Sequence, residues 1–282
     1  MMDLAIIIVA WKVKEKLRAN LEALLPSLLN LRAEVFVVDN NSGDGTVEMI
    51  KAEFPSVRLI ANQENVGFAK ANNQALRIAQ ADFVLLLNPD MRVFPETVSQ
   101  MLVWARNHPR AVVSGCRLES ENGELIRHVR RFPRLADQLA VVLKLPHLFP
   151  GVLNNYLYKN FNYESEARVD SIRGAFFFIN ATAWQKISAN QELLLDERYF
   201  IWFEEVDFCR QVYQRGGEVW YTPAAHCLDY IGQSFNQLGT GLKQRYFQDS
   251  MLKYFQKWHA PWQVIILKTA WPLGRWLAKV FS

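Results

Sequence analysis

The sequence predicts an α/β protein built on a mostly parallel sheet with helices on both faces, and three observations predict it. Short β-branched or apolar runs alternate with helix-period segments through the first half of the chain. The first run, Leu4-Ala5-Ile6-Ile7-Ile8-Val9, has no polar face, as a strand covered on both sides requires. Polar or aromatic clusters fall just past successive strand ends, where such sheets bind ligands.

Taken along the chain, Leu4–Val9, Glu34–Asp39, Val57–Ala61, Phe83–Asn88 and Ala111–Ser114 read as strands. Between them, Lys14–Asn30, Thr46–Glu53, Ala69–Ala81 and Pro95–His108 carry helical patterns. The turn Asn41-Ser42-Gly43-Asp44-Gly45 precedes an amphipathic segment. The second half is less regular. Arg117 to Arg134 reads as loops and short strands, and the apolar stretch from Ala136 to Tyr163 has no clear period. Val169 to Asn180 is strand-like through Arg173-Gly174-Ala175. Phe200 to Gln214 reads as a helix closed by Gly216-Gly217, and Glu218–Tyr221 as a further strand.

Half of the 282 residues are hydrophobic, enough to bury a full core and to argue against disorder. A net charge of +4 is too mild for a nucleic-acid partner, which calls for a concentrated basic stripe. Cys116, Cys209 and Cys227 lack metal-ligand spacing and leave one thiol over, which fits reduced cysteines in the cytoplasm. Asp3 stands where a secretory signal would be basic, and no apolar stretch reaches the roughly 18 residues of a membrane-spanning helix.

The strand ends carry Trp11, Asp39-Asn40, Asn62 to Gly67, and Asn88-Pro89-Asp90. Any one cluster is equally explained as turn chemistry; four on one edge are not. Asp90 follows the apolar run Val84-Leu85-Leu86-Leu87 and could hold Mg²⁺ or Mn²⁺ against a diphosphate, because hard cations take oxygen ligands. Pro89-Asp90 as a plain turn is the alternative. Gly67 would let a ligand approach the backbone, and Asn72 and Asn73 are placed at a helix start. Glu204-Glu205-Val206-Asp207 opens a helix whose apolar face is set by Val206, Cys209, Val212 and Tyr213. At about 100° per residue, that phase puts Glu205 on the flank of the inward face and turns Asp207 outward. An inward acid at a helix start is a candidate general base, although all three acids also suit the helix dipole. Asp207 and Arg210 could pair across one turn.

With these pieces in order, the chain resembles the family 2 glycosyltransferases, and within them the bacterial rhamnosyltransferase-type branch. The resemblance runs from about Leu4 to about Phe255. It is carried by Val37-Val38-Asp39-Asn40-Asn41-Ser42-Gly43-Asp44-Gly45, Asn65-Val66-Gly67-Phe68-Ala69 and Leu86-Leu87-Asn88-Pro89-Asp90. Gly174-Ala175, Asp196-Glu197, Phe203-Glu204-Glu205-Val206-Asp207-Phe208-Cys209 and Gly232-Gln233-Ser234 extend it. The resemblance implies a GT-A fold with a mixed, mostly parallel sheet: a Rossmann-like nucleotide-binding half over residues 1–115 and an acceptor-binding half over 116–240. It implies inverting transfer of a sugar, rhamnose by the branch, from a dTDP- or UDP-sugar to a hydroxyl of a glycan or lipid-linked glycan in cell-surface polysaccharide synthesis.

The resemblance also implies roles. Trp11 would stack on the nucleobase and Asp39 hydrogen-bond it, with Asn65 and Gly67 in the donor loop. Asp90 matches the metal-binding acid of the Asp-x-Asp element, and Asn88 replaces its first acid. Glu205 matches the catalytic base, and Arg173-Gly174-Ala175 would line the donor or acceptor pocket. Two positions depart from the pattern. Lys12 stands where Asn is usual, and Asp229 stands where a metal-binding His is common. His226 lies three residues earlier, which on a strand points it to the other face; Asp229 is therefore the preferred ligand and His226 the alternative.

Residues 241–282 read as a helical tail. Trp262, Ile265, Ile266, Trp271, Leu273, Trp276, Leu277 and Phe281 accompany Lys268, Arg275 and Lys279 on one face, and Pro272 is expected to interrupt any long helix. The pattern suits an interfacial segment on the inner face of the cell membrane better than a spanning one, with packing on the domain or a dimer contact as the alternative. Two other functions compete. A nicotinamide or P-loop enzyme would need Gly-x-Gly-x-x-Gly or Gly-Lys-Ser/Thr, and neither occurs. A GT-A scaffold without turnover is the other, favoured by Lys12, Asn88 and Asp229 and opposed by Asp90 and Glu205.

Overall fold

The computed structural model describes residues 2–230 and 239–280; Gly232-Gln233-Ser234 and Phe281 lie outside them. The strands are β1 (Met2–Ala10), β2 (Ala33–Asp39), β3 (Arg58–Ala61), β4 (Ala81–Leu87), β5 (Met91–Val93), β6 (Ala111–Glu119), β7 (Val129–Arg130), β8 (Ala167–Arg168), β9 (Ser171–Ile172), β10 (Phe176–Asn180) and β11 (Glu218–Asp229). The helices are α1 (Lys14–Ser27), α2 (Thr46–Glu53), α3 (Phe68–Leu76), α4 (Thr97–Asn107), α5 (Leu135–Val142), α6 (Ala181–Ile187), α7 (Glu204–Gln214), α8 (Thr240–Trp258) and α9 (Pro261–Val280).

The main sheet has the order β3-β2-β1-β4-β10-β6-β11-β5, with β8 on β11. The first four are parallel, β10 runs antiparallel between β4 and β6, and β11 is parallel to β6. Alternate residues of β1 feed two cores: Leu4, Ile6 and Ile8 meet α1, α2 and α4 on one face, while Ala5, Ile7 and Val9 meet α3, α6 and α7 on the other. That is why the opening run is apolar throughout.

Several elements differ from the sequence reading. Val169 to Asn180 is not one strand. The chain turns at Arg173-Gly174-Ala175, so β9 pairs with β7 in a separate ribbon while β10 enters the main sheet. The helix read from Phe200 starts at Glu204, because Trp202 and Phe203 both take left-handed backbone, φ +64° and +70°. The strand read as Glu218–Tyr221 continues to Asp229 through a register shift between Tyr221 and His226, the irregularity that accommodates Pro223. Asn72 and Asn73 sit inside α3, not at its start: Asn73 donates to the Leu195 carbonyl at 2.8 Å and accepts from Leu195 N, tying α3 to the chain that leads to α7.

A third core lies under the C-terminal helices. Met251, Tyr254 and Phe255 of α8 and Val264, Leu267 and Trp271 of α9 pack with Val142, Tyr199 and Phe203. One face of the tail thus belongs to the body. The opposite face leaves Trp262, Ile265, Leu273 and Trp276 more than half exposed. Pro272 lies within α9 without ending it, on the exposed side, where it costs the helix one backbone bond and crowds the preceding turn. Among the described residues, no helix is long and apolar enough to cross a membrane.

Candidate active site

Three adjoining cavities run along the carboxyl edge of the sheet. The first, about 320 Å³, is lined by Trp11, Asn40, Asn65, Gly67, Phe200 and Tyr246. It shares Val9, Phe68 and Ile201 with a second of about 130 Å³, which holds Asn88, Asp90, Arg173, Gly174, Glu204 and Glu205. The third, about 230 Å³, is lined by His128, Arg130 and Tyr156, and shares Arg173, Trp202 and Glu205 with the second. Trp11, Asn65, Gly67, Asn88, Asp90, Arg173, Gly174 and Glu205, all singled out in the sequence, therefore meet in two connected spaces, and Glu205 stands at the junction with the third. Asp39 and Asp229 are buried and do not line these walls.

At the first cavity the walls are built by side-chain amides. Asn40 donates to Asn65 Oδ1 at 2.8 Å and accepts from Val66 N at 3.0 Å, while Asn65 Oδ1 also accepts from Gly67 N. Asp39 accepts from Ser42 N with Oδ2 at 3.1 Å, and its buried Oδ1 has no partner. This oxygen lies one residue behind the wall formed by Asn40, and an N–H donor that reached it would satisfy it. Lys12 adopts φ +56°, a conformation that Asn tolerates better than Lys, and its ammonium lies 5.2 Å from the Trp11 ring. Gly67 is needed at φ +87° for a reason other than ligand access. A Cβ there would lie 2.6 Å from the Phe200 carbonyl, which accepts from Phe68 N at 2.7 Å.

At the junction two carboxyls lie side by side, Glu204 buried and Glu205 half-buried. Burial pushes Glu204 well above the usual carboxylate range, and the charge of Glu205 pushes it further. Glu205 is also raised by burial, but the backbone N–H groups of Glu205 and Val206, and then the Arg173 guanidinium, pull it back, so Glu205 is the first of the two to ionise. Its Oε2 is buried with no partner. Gly174 lies against Glu205: a Cβ there would sit in ordinary contact, 3.5 Å from Glu205 Cβ.

Asp207 does not point outward. It is fully buried and accepts from Lys257 at 2.7 Å, Trp258 at 2.6 Å, Gln211 at 2.8 Å and the Tyr199 hydroxyl at 3.2 Å. Arg210 reaches the Tyr254 hydroxyl at 3.0 Å rather than Asp207. Tyr213, counted with the apolar face, is 66% exposed, and the buried face is set by Phe208, Cys209 and Val212. Counting Tyr213 turned the inferred face toward solvent, and an acid satisfied by a distant helix is invisible to hydrophobic periodicity.

Asp90 and Asp229 come together through the β5–β11 pairing. Asp229 stands opposite Met91, and Tyr230 N donates to the Asp90 carbonyl at 3.1 Å. Asp229 accepts from Arg173 at 2.9 Å with its side chain fully buried. His226 turns elsewhere, stacked on Phe94 with ring centroids 4.3 Å apart and 3.5 Å from Glu119. Among the described residues, no group of three or more His, Cys, Asp or Glu side chains could enclose a metal. Two oxygen-donor carboxylates nevertheless fit a hard divalent ion whose remaining ligands come from a substrate diphosphate.

Several lining residues were not singled out in the sequence. Trp202, between the second and third cavities, had only its place before the acidic cluster as a signal. His128 is buried and its pKa is lowered to about 3 by burial. Its Nε2 meets the Cys116 carbonyl at 2.9 Å, so neutral His128 carries its proton there and leaves Nδ1 as an unpartnered acceptor. Nothing in the local sequence distinguishes it from any core histidine.

Comparison with known proteins places these features in a wider group. Residues 5–183 match the family model described as Glycosyl transferase family 2. The N-acetylglucosaminyl-diphospho-decaprenol L-rhamnosyltransferase of Mycobacterium tuberculosis is 28% identical over 233 residues, covering 76% of this chain and 73% of that protein. The rhamnosyltransferase WbbL of Escherichia coli is 25% identical over 172 residues, covering 58% of this chain and 61% of its own length. Among solved structures, the mannosyltransferase PcManGT from Pyrobaculum calidifontis, in complex with GDP-Man and Mn²⁺, superposes with a TM-score of 0.58 at 15% identity. That match covers 98% of this chain and 75% of the other.

Proposed function

The chain belongs to glycosyl transferase family 2 and has the GT-A fold, and from that premise we propose that it moves a sugar from a nucleotide diphosphate donor to an acceptor hydroxyl with inversion. The observation that carries this reading is the position of Glu205. It lines both the cleft that holds Asp90 and the separate cavity beyond it, so one carboxylate faces donor and acceptor spaces together. In this reading the first cavity takes the nucleoside, with Trp11 against the base and Asp39 Oδ1 accepting its N–H. Asn65 and Gly67 shape the wall, and Asn88, Arg173 and Gly174 border the diphosphate and sugar.

An acceptor hydroxyl is a poor nucleophile near neutral pH, so a base must take its proton as the new bond forms. Glu205 does this, and Glu204, kept protonated beside it, leaves that charge localised on Glu205. Mg²⁺ or Mn²⁺ held by Asp90 and Asp229 would neutralise the departing diphosphate. Arg173 is the resident counter-ion of Asp229 and lies close enough to the cleft to serve the diphosphate as well. The names of the two relatives favour rhamnose as the sugar, and that of the mycobacterial protein favours a lipid-linked acceptor. A role in cell-surface polysaccharide synthesis, at the inner face of the membrane, follows from such an acceptor.

The test is nucleotide binding with and without Mn²⁺. UDP and dTDP should stabilise the protein thermally, more so with metal, and Asp90→Ala should remove the metal increment. Asp229→Ala should reduce it more than His226→Ala. An increment that survives Asp90→Ala, or full transfer in excess chelator, sinks the metal assignment. No stabilisation by any nucleoside diphosphate sinks the donor assignment.

A further inference from the structure

A fourth cavity continues from the third. It measures about 250 Å³, lies where α5, α8 and α9 meet, and shares Trp202 and Phe247 with the acceptor-side cavity. Its walls are apolar, with Val142, Phe247 and Trp271 among them. Three cations, Lys144, Lys243 and Arg275, also line it, and no acid does. None of the three forms an ion pair with a described residue. The space thus combines an oily floor with uncompensated positive charge, one cavity away from Glu205.

The surroundings fit an amphiphile rather than a free anion. α9 is seated on α5 so closely that a Cβ at Gly274 would lie 2.2 Å from the Val142 carbonyl, which fixes one wall of the cleft. The outer face of the same helix exposes Trp262, Ile265, Leu273 and Trp276, residues that favour a bilayer interface. Leu148 and Phe149, just beyond α5, are about as exposed.

We propose that this cleft is the lipid-side subsite of the acceptor: Lys144, Lys243 and Arg275 bind the diphosphate of a diphosphate-linked lipid, and Val142, Phe247 and Trp271 hold the first part of its chain. The acceptor sugar then extends past Trp202 into the cavity of His128 and Arg130 and presents its hydroxyl to Glu205. This rests on the lipid-linked reading of the acceptor given above. The occupant follows from the charge: a neutral lipid would leave three cations unused, and inorganic diphosphate would leave the apolar walls unused.

The probe is geranylgeranyl diphosphate, read by quenching of the tryptophans at the cleft in the presence of saturating UDP, which blocks the donor site. Saturable quenching is expected, absent with geranylgeraniol and weak with inorganic diphosphate. Lys144→Glu, Lys243→Glu and Arg275→Glu together should weaken it by about tenfold or more, with UDP affinity unchanged. The same variant should raise KM, with little change in kcat, for a sugar-diphosphate-lipid acceptor and not for the same sugar on a short neutral alkyl chain. No quenching by the prenyl diphosphate, or quenching indifferent to the substitutions, overturns the subsite. Equal competition by vesicles of anionic phospholipid would assign the cations to the bilayer instead and overturn it too. If the wild-type protein uses the diphosphate lipid no better than the neutral acceptor, the lipid-linked reading itself fails, whatever the quenching.

Discussion

Glu205→Gln keeps the side chain's shape and removes its basicity. The structure gives grounds for a clean result. Glu205 packs beside Gly174, its Oε2 has no hydrogen-bond partner to lose, and its Arg173 neighbour keeps Asp229 as an anchor. Donor affinity should therefore stay within about twofold, a change well below that of one lost hydrogen bond. Turnover should fall by about 100-fold or more, the usual contribution of a positioned base, or roughly 3 kcal/mol in the barrier. The pH profile adds a second readout. Burial raises the pKa of Glu205, and the base works only when ionised, so wild-type turnover should rise with pH through a value above that of an ordinary Glu. In Glu205→Gln that limb should disappear. The assay is kcat against pH with the donor found by the nucleotide screen, alongside anomeric analysis of the product. Normal turnover in Glu205→Gln with Glu204→Gln inactive would move the base to the neighbouring carboxyl. Retention of the donor's anomeric configuration would refute direct displacement altogether.

The other expectations concern the frame around that residue. Glu204 is raised well above the ordinary range by burial and then by Glu205, so its stabilising contribution is intact below the unfolded Glu pKa of about 4.3 and is lost as pH rises through the folded value. Urea titrations should find Glu204→Gln more stable than wild type at pH 8 and indistinguishable at pH 4; a uniform loss at both would refute the buried-charge account. Asp207→Asn should destabilise the fold by about 3 kcal/mol, because Lys257, Trp258 and Gln211 all lose a buried charged acceptor. Any loss of turnover there should track the fraction unfolded, and an inactive but fully stable variant would make Asp207 part of the chemistry. Replacing Trp262, Ile265 and Trp276 by Ser should release the protein from anionic vesicles without lowering Tm, since all three are more than half exposed; unchanged partitioning would leave membrane contact unsupported. Truncation after Lys257 would not test this, because it also removes the buried Val264, Leu267 and Trp271.

What could be read from the chain alone was what lies in continuous local pattern. The buried strands β1, β2 and β4 announce themselves by unbroken apolar runs, and of the residues singled out at their ends Trp11, Asn40, Asn88 and Asp90 line two adjoining cavities while Asp39 does not. The insertion of β10 antiparallel between β4 and β6 was not legible, because strand order depends on pairings far apart in sequence. The orientation of Asp207 was hidden for a related reason. Its charged partner Lys257 and its neighbour Trp258 belong to α8, far along the chain, and nothing near Asp207 in sequence marks an acid as buried. Gly67 was legible as a necessary glycine, but the carbonyl that excludes a side chain there belongs to Phe200, which only the tertiary structure brings close.

The left-handed backbone of Trp202 and Phe203 has a consequence for anyone who selects variants of this protein by heat. Such a conformation costs an L-residue about 1 kcal/mol or more, and glycine would adopt it freely. At Phe203 the loss of a buried core side chain outweighs that relief, so a thermal screen should keep the phenylalanine. Trp202 packs against the same core and borders three of the cavities, and it too would lose more in packing than glycine returns in backbone freedom. Melting temperature and turnover should therefore select the same two aromatic residues, and the strained turn persists because the rings it carries hold it in place.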